Sequence, residues 1–201
     1  FLREIRVTAR LRHPHILSLL DSGEADGFLF YVMPFAEGES LRDRLNRERQ
    51  IPIDEEVTLA REVADALTYA HQHGVLHRDI KPSNIVIDDN GTPYLTDFGL
   101  ARIAQAGEST MSHDMILGTP QYISPEQARG ERDLDPRTDV YSFGVILYEL
   151  VVGRVPFNAD TPYAIVHDHI YSPLPMPSSL NPDVPPAVEQ VLVTALAKNP
   201  A

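Results

Sequence analysis

The sequence predicts an α+β protein, with a small β-sheet region followed by a larger, mostly helical region. Two short apolar runs near the beginning, at residues 16–20 and 28–33, have the length and composition that are typical of strands. Most of the remaining chain has apolar residues at helical spacing. A few strands followed by several helices is the layout of an α+β domain, in which helices segregate beside a small sheet.

Spacing and capping residues predict the individual elements of the first half. Residues 1–12 have helical spacing. Ser40, with Asp43 three residues later, forms a capping-box pattern and predicts the start of a short helix. A longer helix is predicted after Asp54, and Gly74 is expected to end it.

The second half begins with a hairpin signal and continues with helices. Asn90-Gly91 separates two apolar runs, at residues 85–87 and 94–96, and predicts a β-hairpin. Three further helices are predicted: a buried, almost wholly apolar one over about 139–152, one that begins at Thr161-Pro162, and an amphipathic one over 186–198.

Composition limits the kinds of partner that the chain can have. Its 201 residues, 43% of them apolar, are enough for one domain with a buried core. Lysine and arginine number 17 against 29 aspartates and glutamates, so the net charge is 17 − 29 = −12. This charge gives no electrostatic basis for binding nucleic acid or an anionic membrane. Cysteine does not occur, which excludes disulfides, thiolate zinc sites and a catalytic thiol.

Three short motifs carry the chemical information of the chain. They are His77-Arg78-Asp79, Asn84 and Asp97-Phe98-Gly99, on two loops that flank the predicted hairpin. Phosphoryl transfer needs positioning of the acceptor and neutralisation of phosphate charge more than covalent help. A carboxylate that orients a hydroxyl, with carboxylate and amide oxygens that hold Mg²⁺, meets those needs. The motifs therefore predict a phosphoryl-transfer site.

The same motifs resemble those of a known family. Residues His77 to Asn84 read H-R-D-I-K-P-S-N, similar to the catalytic loop of eukaryotic-like (Hanks-type) serine/threonine protein kinases of the bacterial type. Gly118-Thr119-Pro120 and Ser124-Pro125-Glu126 resemble the end of their activation segment. The resemblance implies one kinase domain with two lobes. Residues 1–36 would form a partial N-lobe, made of a helix and two strands, together with the hinge. Residues 37–201 would form a mostly helical C-lobe that is truncated before its last helix. Because no glycine-rich loop or V-A-I-K-like strand occurs, we expect the chain to be a piece of such a domain.

The resemblance implies catalytic roles for five residues. Asp79 would orient the acceptor hydroxyl, and Lys81 would contact the γ-phosphate of ATP, which favours serine and threonine over tyrosine acceptors. Asn84 and Asp97 would bind Mg²⁺. Thr119 would hydrogen-bond both Asp79 and Lys81.

The resemblance implies that five other residues take part in ATP binding. Met33 matches the gatekeeper position, and Val86 would pack beneath the purine ring. The carbonyl of Pro34 and the amide of Ala36 would make the two hydrogen bonds of the hinge. Proline has no N–H group, but the hydrogen bond at this position needs only its carbonyl. Glu4 matches the glutamate that pairs with an ATP-orienting lysine, which this chain does not contain.

The resemblance implies supporting roles for further residues. His77 and Phe98 would be internal packing residues, and Asp139 would hold the backbone of the turn at His77. Glu126 would be a buried carboxylate whose arginine partner lies beyond the end of the chain, so we expect poor stability of the chain by itself. Ser124 stands where the family usually has alanine, a small-for-small change.

The loop between Gly99 and Gly118 is the expected regulatory element. It contains Ser109, Thr110 and Ser112. A phosphate on one of them would pair with Arg78 and order the loop, and the sequence does not decide which one. The alternative is that they are ordinary loop hydroxyls.

These inferences lead to the hypothesis of a protein serine/threonine kinase that uses ATP and Mg²⁺. Its acceptors would be proteins, itself included through autophosphorylation in a dimer, and not nucleic acid. The domain would be cytoplasmic, with membrane contact only through flanking segments. The alternative is a pseudokinase or scaffold, and the truncated chain alone is expected to be inactive. Small-molecule phosphotransferases are disfavoured because they lack an activation segment.

Overall fold

The computed structural model describes four stretches of the chain, residues 9–25, 28–48, 51–98 and 120–199. They belong to two compact units. The first unit holds the described residues up to 78 and from 82 to 98, and the second holds 79–81 and 120–199. Within these stretches, no helix is both long enough and apolar enough to cross a membrane.

The first unit contains two antiparallel sheets, which confirms the predicted α+β class. One sheet has two strands, β1 (Asp21–Ala25) and β2 (Phe28–Val32). The other has three, in the order β3 (Gly38–Ser40), β4 (Ile85–Asp88) and β5 (Pro93–Leu95). Strands β4 and β5 form the predicted hairpin. The Asp88 carboxylate stabilises its turn by accepting hydrogen bonds from the backbone N–H groups of Asn90 and Thr92, at 2.9 and 2.8 Å.

The strand predicted at residues 16–20 is wrong. The chain there touches β5 through a single bridge between Ile16 and Leu95, and continuous pairing begins only at Asp21, opposite Val32 of β2. The apolar run has a different role, because Ile16 is buried in the core beside Leu95. Residues Asp21–Ala25, which lie between the two predicted strands, form β1 instead of a connecting turn.

Two helices complete the first unit, α1 (Leu41–Glu48) and α2 (Ile53–Gln72). The predicted cap of α1 is confirmed, since the Ser40 hydroxyl accepts the Asp43 N–H at 3.1 Å. Gly74, with a φ of 73°, ends α2 as predicted. The buried face of α2 includes Leu59, Val63 and Leu67, and Val57 near its beginning is exposed. The helix predicted over residues 1–12 does not extend through 9–12, and residues 1–8 lie outside the described stretches.

The second unit is built around one buried helix. Its helices are α3 (Pro125–Ala128), α4 (Arg137–Val152), α5 (Pro162–Tyr171), α6 (Pro177–Leu180) and α7 (Pro186–Ala195). Helix α4 is buried along most of its length, as its composition predicts, although Val140 is exposed. Gly144 of α4 allows α7 to approach, since a Cβ there would lie 3.0 Å from that of Ala195. Thr161 caps α5 by accepting the Ala164 N–H.

The last helix ends earlier than predicted, at Ala195 instead of Lys198. Lys198 leaves the helix and donates hydrogen bonds from Nζ to the carbonyl oxygens of Asp168 and His169, at 2.9 and 2.8 Å. Its ammonium also lies 4.0 Å from the centre of the Phe157 ring. A cation beside the last carbonyls of a helix is favourable, so tertiary contacts with α5 outweigh one more helical turn in α7.

The fully buried His169 makes the second unit sensitive to acid. Its Nδ1 lies 3.0 Å from the Tyr141 hydroxyl. Burial lowers the pKa of His169 to about 3, and the positive charge of Lys198 adds to this effect. Contacts with the Gln121 backbone and the Asp168 charge act in the opposite direction. Within the folded unit, His169 is therefore neutral over most of the pH range.

We expect the stability of this unit to fall as the pH falls from about 6.5 towards about 3. Between these values the unfolded chain, whose histidine has an ordinary pKa of 6.5, binds more protons than the folded one. Between about pH 7 and about pH 5, protonation of His169 in the unfolded chain should lower the unfolding free energy of the wild type by roughly 2 kcal/mol. The variant His169→Gln should not show this part of the decrease. Calorimetry of the intact protein measures this. His167→Gln, an exposed position on the same helix, is the control, and equal pH slopes in both variants would contradict the assignment.

Candidate active site

Asp79 and Lys81 form a direct ion pair in the second unit. Lys81 Nζ donates to Asp79 Oδ2 at 2.7 Å, and each side chain is about one-third exposed, at 33% and 34%. Ile80 between them is almost fully buried, at 1% exposure. The buried residue anchors the loop and leaves its two polar neighbours side by side, where solvent or a ligand can reach them. This arrangement joins a carboxylate that can accept a hydrogen bond to an ammonium that can contact an anion.

The two candidate magnesium ligands, Asn84 and Asp97, lie in the first unit. Asn84 ends a short 3₁₀ turn, Pro82–Asn84, and is buried. Its carbonyl accepts the backbone N–H of Thr96 at 3.0 Å, so the backbones of residues 84 and 96 are paired directly before Asp97. Asp97 is half-buried and has a φ of 63°. This left-handed conformation is sparsely populated by residues other than glycine and is common at functional sites.

Thr96 joins several candidate residues and was missed by the sequence analysis. Its hydroxyl lies 3.7 Å from the Met33 sulfur, its N–H bonds Asn84, and its carbonyl lies 2.9 Å from His77 Nε2. The His77 ring in turn packs on Phe98, with the two ring centres 4.5 Å apart, and both rings are buried. The position of Thr96 directly before Asp97 was the only signal in the sequence. In the structure it holds Asp97 in register with Asn84.

The candidate adenine residues also lie in the first unit. Met33 is half-buried against Thr96, and Val86 is half-buried in β4, paired with Ser40 and Tyr94 of the neighbouring strands. Pro34 is exposed and Ala36 half-buried, in the connection between β2 and β3. The backbone of this connection belongs to neither strand, and within it the Glu37 carbonyl accepts the Asp89 N–H at 3.0 Å.

The supporting residues of the second unit differ in burial. Asp139, in the first turn of α4, has no exposed surface. Glu126 is half-buried, which corrects the expectation of a buried carboxylate there and lowers the expected cost of leaving it without an arginine. Burial raises the pKa of the neighbouring Tyr141 hydroxyl, and the negative charge of Glu126 raises it further.

Arg78, the predicted phosphate partner, belongs to the first unit. It is half-buried and has a φ of 67°, so, like Asp97, it adopts a left-handed backbone.

The remaining predicted residues lie outside the described stretches, and they are Glu4, Ser109, Thr110, Ser112 and Thr119.

Comparison with known proteins identifies the family of the chain. The chain matches the protein kinase domain family over residues 1–201. It is 42% identical over 205 residues to the serine/threonine-protein kinase PknB of Mycolicibacterium smegmatis, an alignment that covers 100% of the chain and 33% of the relative. It is 38% identical over 199 residues to a probable serine/threonine-protein kinase PknB of Lactococcus lactis, covering 99% of the chain and 31% of the relative.

A third relative is the DNA damage-responsive serine/threonine-protein kinase RqkA of Deinococcus radiodurans, 39% identical over 202 residues, with 98% of the chain and 30% of the relative covered. The chain thus spans about a third of the length of these curated relatives. The predicted kinase-type fold and the resemblance to bacterial kinases are both confirmed. The chain belongs to the protein kinase domain family, among the bacterial Hanks-type serine/threonine kinases.

Proposed function

We propose that the protein containing this chain transfers the γ-phosphoryl group of ATP to serine and threonine hydroxyls of proteins. The observation that carries the proposal is the 2.7 Å contact between Lys81 Nζ and Asp79 Oδ2, on a loop that is open to solvent. Names of the relatives support the same activity. The domain boundaries at residues 36 and 37 remain part of this proposal.

Asp79 and Lys81 would act on the acceptor and on the transferred group, respectively. The Asp79 carboxylate would accept a hydrogen bond from the acceptor hydroxyl and hold its oxygen in line for attack on phosphorus. Lys81, already beside this carboxylate, would place a positive charge where negative charge develops on the phosphoryl oxygens. The ion pair preorganises both groups before the acceptor arrives.

The oxygen donors of Asn84 and Asp97 fit a magnesium site. Magnesium is a hard cation that prefers oxygen ligands and takes one or two of them from protein, and a carboxylate and an amide oxygen suit it. When bound, Mg²⁺ would neutralise charge on the phosphates of ATP. The hydrogen bond from the Thr96 N–H to the Asn84 carbonyl would keep the two ligands in register.

The nucleotide base would lie along the connection between β2 and β3. Pro34 offers a carbonyl as hydrogen-bond acceptor and Ala36 an N–H donor, while Met33 and Val86 supply apolar surface for the purine. These four residues belong to the same unit as Asn84 and Asp97, so one compact unit contains the candidate groups for both ends of the nucleotide. Glu4 would act only with a lysine from elsewhere in the protein.

Regulation by phosphorylation of Ser109, Thr110 or Ser112, with the protein itself as acceptor, is the second part of the proposal. The phosphate would pair with Arg78 and order the loop, and Thr119 would link the loop to Asp79. Because ATP is the donor, we place the domain in the cytoplasm.

The test uses the intact protein with γ-labelled ATP, Mg²⁺ and a general protein acceptor. We expect label on serine and threonine after acid hydrolysis of the acceptor, and loss of labelling when EDTA removes the metal. Label on tyrosine would contradict the acceptor class. ATP binding without transfer would favour the pseudokinase or scaffold instead.

A further inference from the structure

His15 makes a side-chain hydrogen bond to strand β5, which leads directly to Thr96 and Asp97. Its ring Nδ1 lies 3.0 Å from the carbonyl oxygen of Pro93, a residue 78 positions further along the chain. A carbonyl oxygen only accepts hydrogen bonds, so Nδ1 carries the proton and is the donor. The side chain is mostly buried, with 17% of it exposed, so the bond is largely shielded from water.

Backbone hydrogen bonds hold β5 on both of its sides. On one side it pairs with β4, and the Thr96 N–H that follows the strand donates to the Asn84 carbonyl at 3.0 Å. On the other side the Leu95 N–H donates to the His15 carbonyl at 2.9 Å, and the Leu17 N–H donates to the Leu95 carbonyl at 2.8 Å. The backbone of His15 therefore holds the last residue of β5.

The first residue of β5 depends on the side chain of His15. Pro93 has no N–H, so its carbonyl is its sole backbone group for hydrogen bonding. That carbonyl is the one that His15 Nδ1 binds. Because β5 is three residues long, the ring of His15 at Pro93 and its backbone at Leu95 together hold both ends of the strand.

His15 is itself held against helix α2 through His13. The His15 N–H donates to His13 Nδ1 at 3.2 Å, and His13 Nε2 lies 3.2 Å from Asp65 Oδ2. Since His13 Nδ1 accepts the N–H, the proton of the neutral ring is on Nε2, which donates to the carboxylate. The His13 ring also packs on Tyr69, with the ring centres 5.2 Å apart. A continuous set of contacts thus connects α2 with β5.

The end of β5 determines where Asp97 lies. Thr96 follows Leu95, bonds Asn84 through its N–H, and directly precedes Asp97. The left-handed backbone of Asp97, with its φ of 63°, is a conformation that persists only when the surrounding structure holds it in place. A displacement of β5 would therefore let Asp97 relax away from this conformation.

We propose that His15 is a positioning residue, which holds β5 so that Asp97 is preorganised to bind a divalent cation. The proposal rests on the kinase function proposed above, through the metal-binding role given there to Asp97. The group responsible is the Nδ1–H, because Nε2 faces Glu62 Oε1 at 3.9 Å, beyond hydrogen-bond distance. Groups that orient metal ligands without touching the metal influence its affinity.

Two amide variants of the intact protein separate the two ring nitrogens. Asparagine places its side-chain NH₂ near the position of Nδ1, and glutamine places its NH₂ near that of Nε2. Mn²⁺, which takes the same oxygen ligands as Mg²⁺, is titrated in the presence of a non-hydrolysable ATP analogue and followed by EPR. His15→Gln should weaken Mn²⁺ binding about 5-fold, the effect of one net hydrogen bond. His15→Asn should stay within about 2-fold of the wild type.

Hydrogen exchange supplies a second measurement, without metal or nucleotide. Mass spectrometry of a peptide that covers residues 94–97 reports on the amides of Leu95 and Thr96. Their exchange should be about 5-fold faster in His15→Gln and close to that of the wild type in His15→Asn. His73→Gln is the matched control, because His73 Nδ1 also binds a backbone carbonyl, that of Tyr69, at 2.7 Å at the end of α2. It should change neither measurement.

Three results would overturn the proposal. They are equal behaviour of His15→Asn and His15→Gln, an effect of the same size in His73→Gln, and faster exchange in His15→Gln with unchanged Mn²⁺ binding. The last would mean that His15 stabilises the strand without positioning Asp97. A wild-type protein that binds Mn²⁺ but transfers no phosphoryl group would refute the proposed kinase function instead, and the Mn²⁺ comparison would still decide the role of His15.

Discussion

Replacing Asp97 by asparagine is expected to lower phosphoryl transfer by the intact protein about 100-fold or more. The substitution keeps the size of the side chain and removes its negative charge, so a proposed magnesium ligand becomes much weaker. Asparagine also tolerates the left-handed backbone found at this position, with its φ of 63°. We therefore expect the fold to survive while activity is lost.

Initial rates with labelled ATP, together with the thermal midpoint of each variant, measure this effect. Asp89→Asn is the matched control, since it removes the same charge at an exposed position on the β4–β5 turn of the same unit. Its rate should stay near that of the wild type. A rate for Asp97→Asn within a few-fold of the control would refute the assigned role of Asp97.

Replacing Gly38 by alanine is expected to destabilise the first unit by about 3 kcal/mol. A Cβ at this position would lie 2.0 Å from the Ile87 carbonyl oxygen and 2.7 Å from the Asp88 Cα, both backbone atoms of the paired strand β4. Backbone cannot rotate away as a side chain can, so the β3–β4 pairing must open. Strand β4 continues directly from Asn84, and we expect ATP binding to weaken as well.

Gly91→Ala is the matched control for Gly38→Ala. Gly91 lies on the turn of the same sheet and its φ is 86°. Among the described residues, its chain neighbours aside, no atom lies within 4 Å of a Cβ placed there. Its replacement should cost only the strain of a left-handed residue, about 1 kcal/mol. Calorimetry and urea unfolding of the intact protein compare the two variants. Equal losses of unfolding free energy would mean that the contact with Ile87 does not explain the need for glycine at position 38.

Local signals in the sequence predicted much of the fold. The capping of α1 by Ser40, the end of α2 at Gly74 and the β4–β5 hairpin depend on neighbouring residues only, because a cap, a left-handed glycine and a two-strand turn are local structures. The candidate catalytic residues came from the resemblance of two short motifs, at residues 77–84 and 97–99, to those of protein kinases.

Predictions failed where a distant segment decides the structure. The apolar run at residues 16–20 contains no information about Leu95, which Ile16 contacts through a single bridge. Lys198 continues a helical pattern in sequence, but its ammonium binds the carbonyls of Asp168 and His169 in the last turn of α5 instead. The burial of Glu126 was overestimated for the same reason, because exposure depends on what packs against a residue.

By itself, the sequence determined the α+β class, which follows from the spacing of apolar residues, and the kinase family, which follows from its short motifs. The candidate catalytic residues are what the resemblance to that family implies. The tertiary structure decided that Lys81 lies against Asp79, that Thr96 connects Met33, Asn84 and His77, and that His15 bonds Pro93. The last two arrangements join residues from different segments of the chain, and they depend on hydrogen bonds that form only when folding brings those segments into register and excludes water. The contact of Lys81 with Asp79 is local and partly exposed, and it depends on the burial of Ile80 between them.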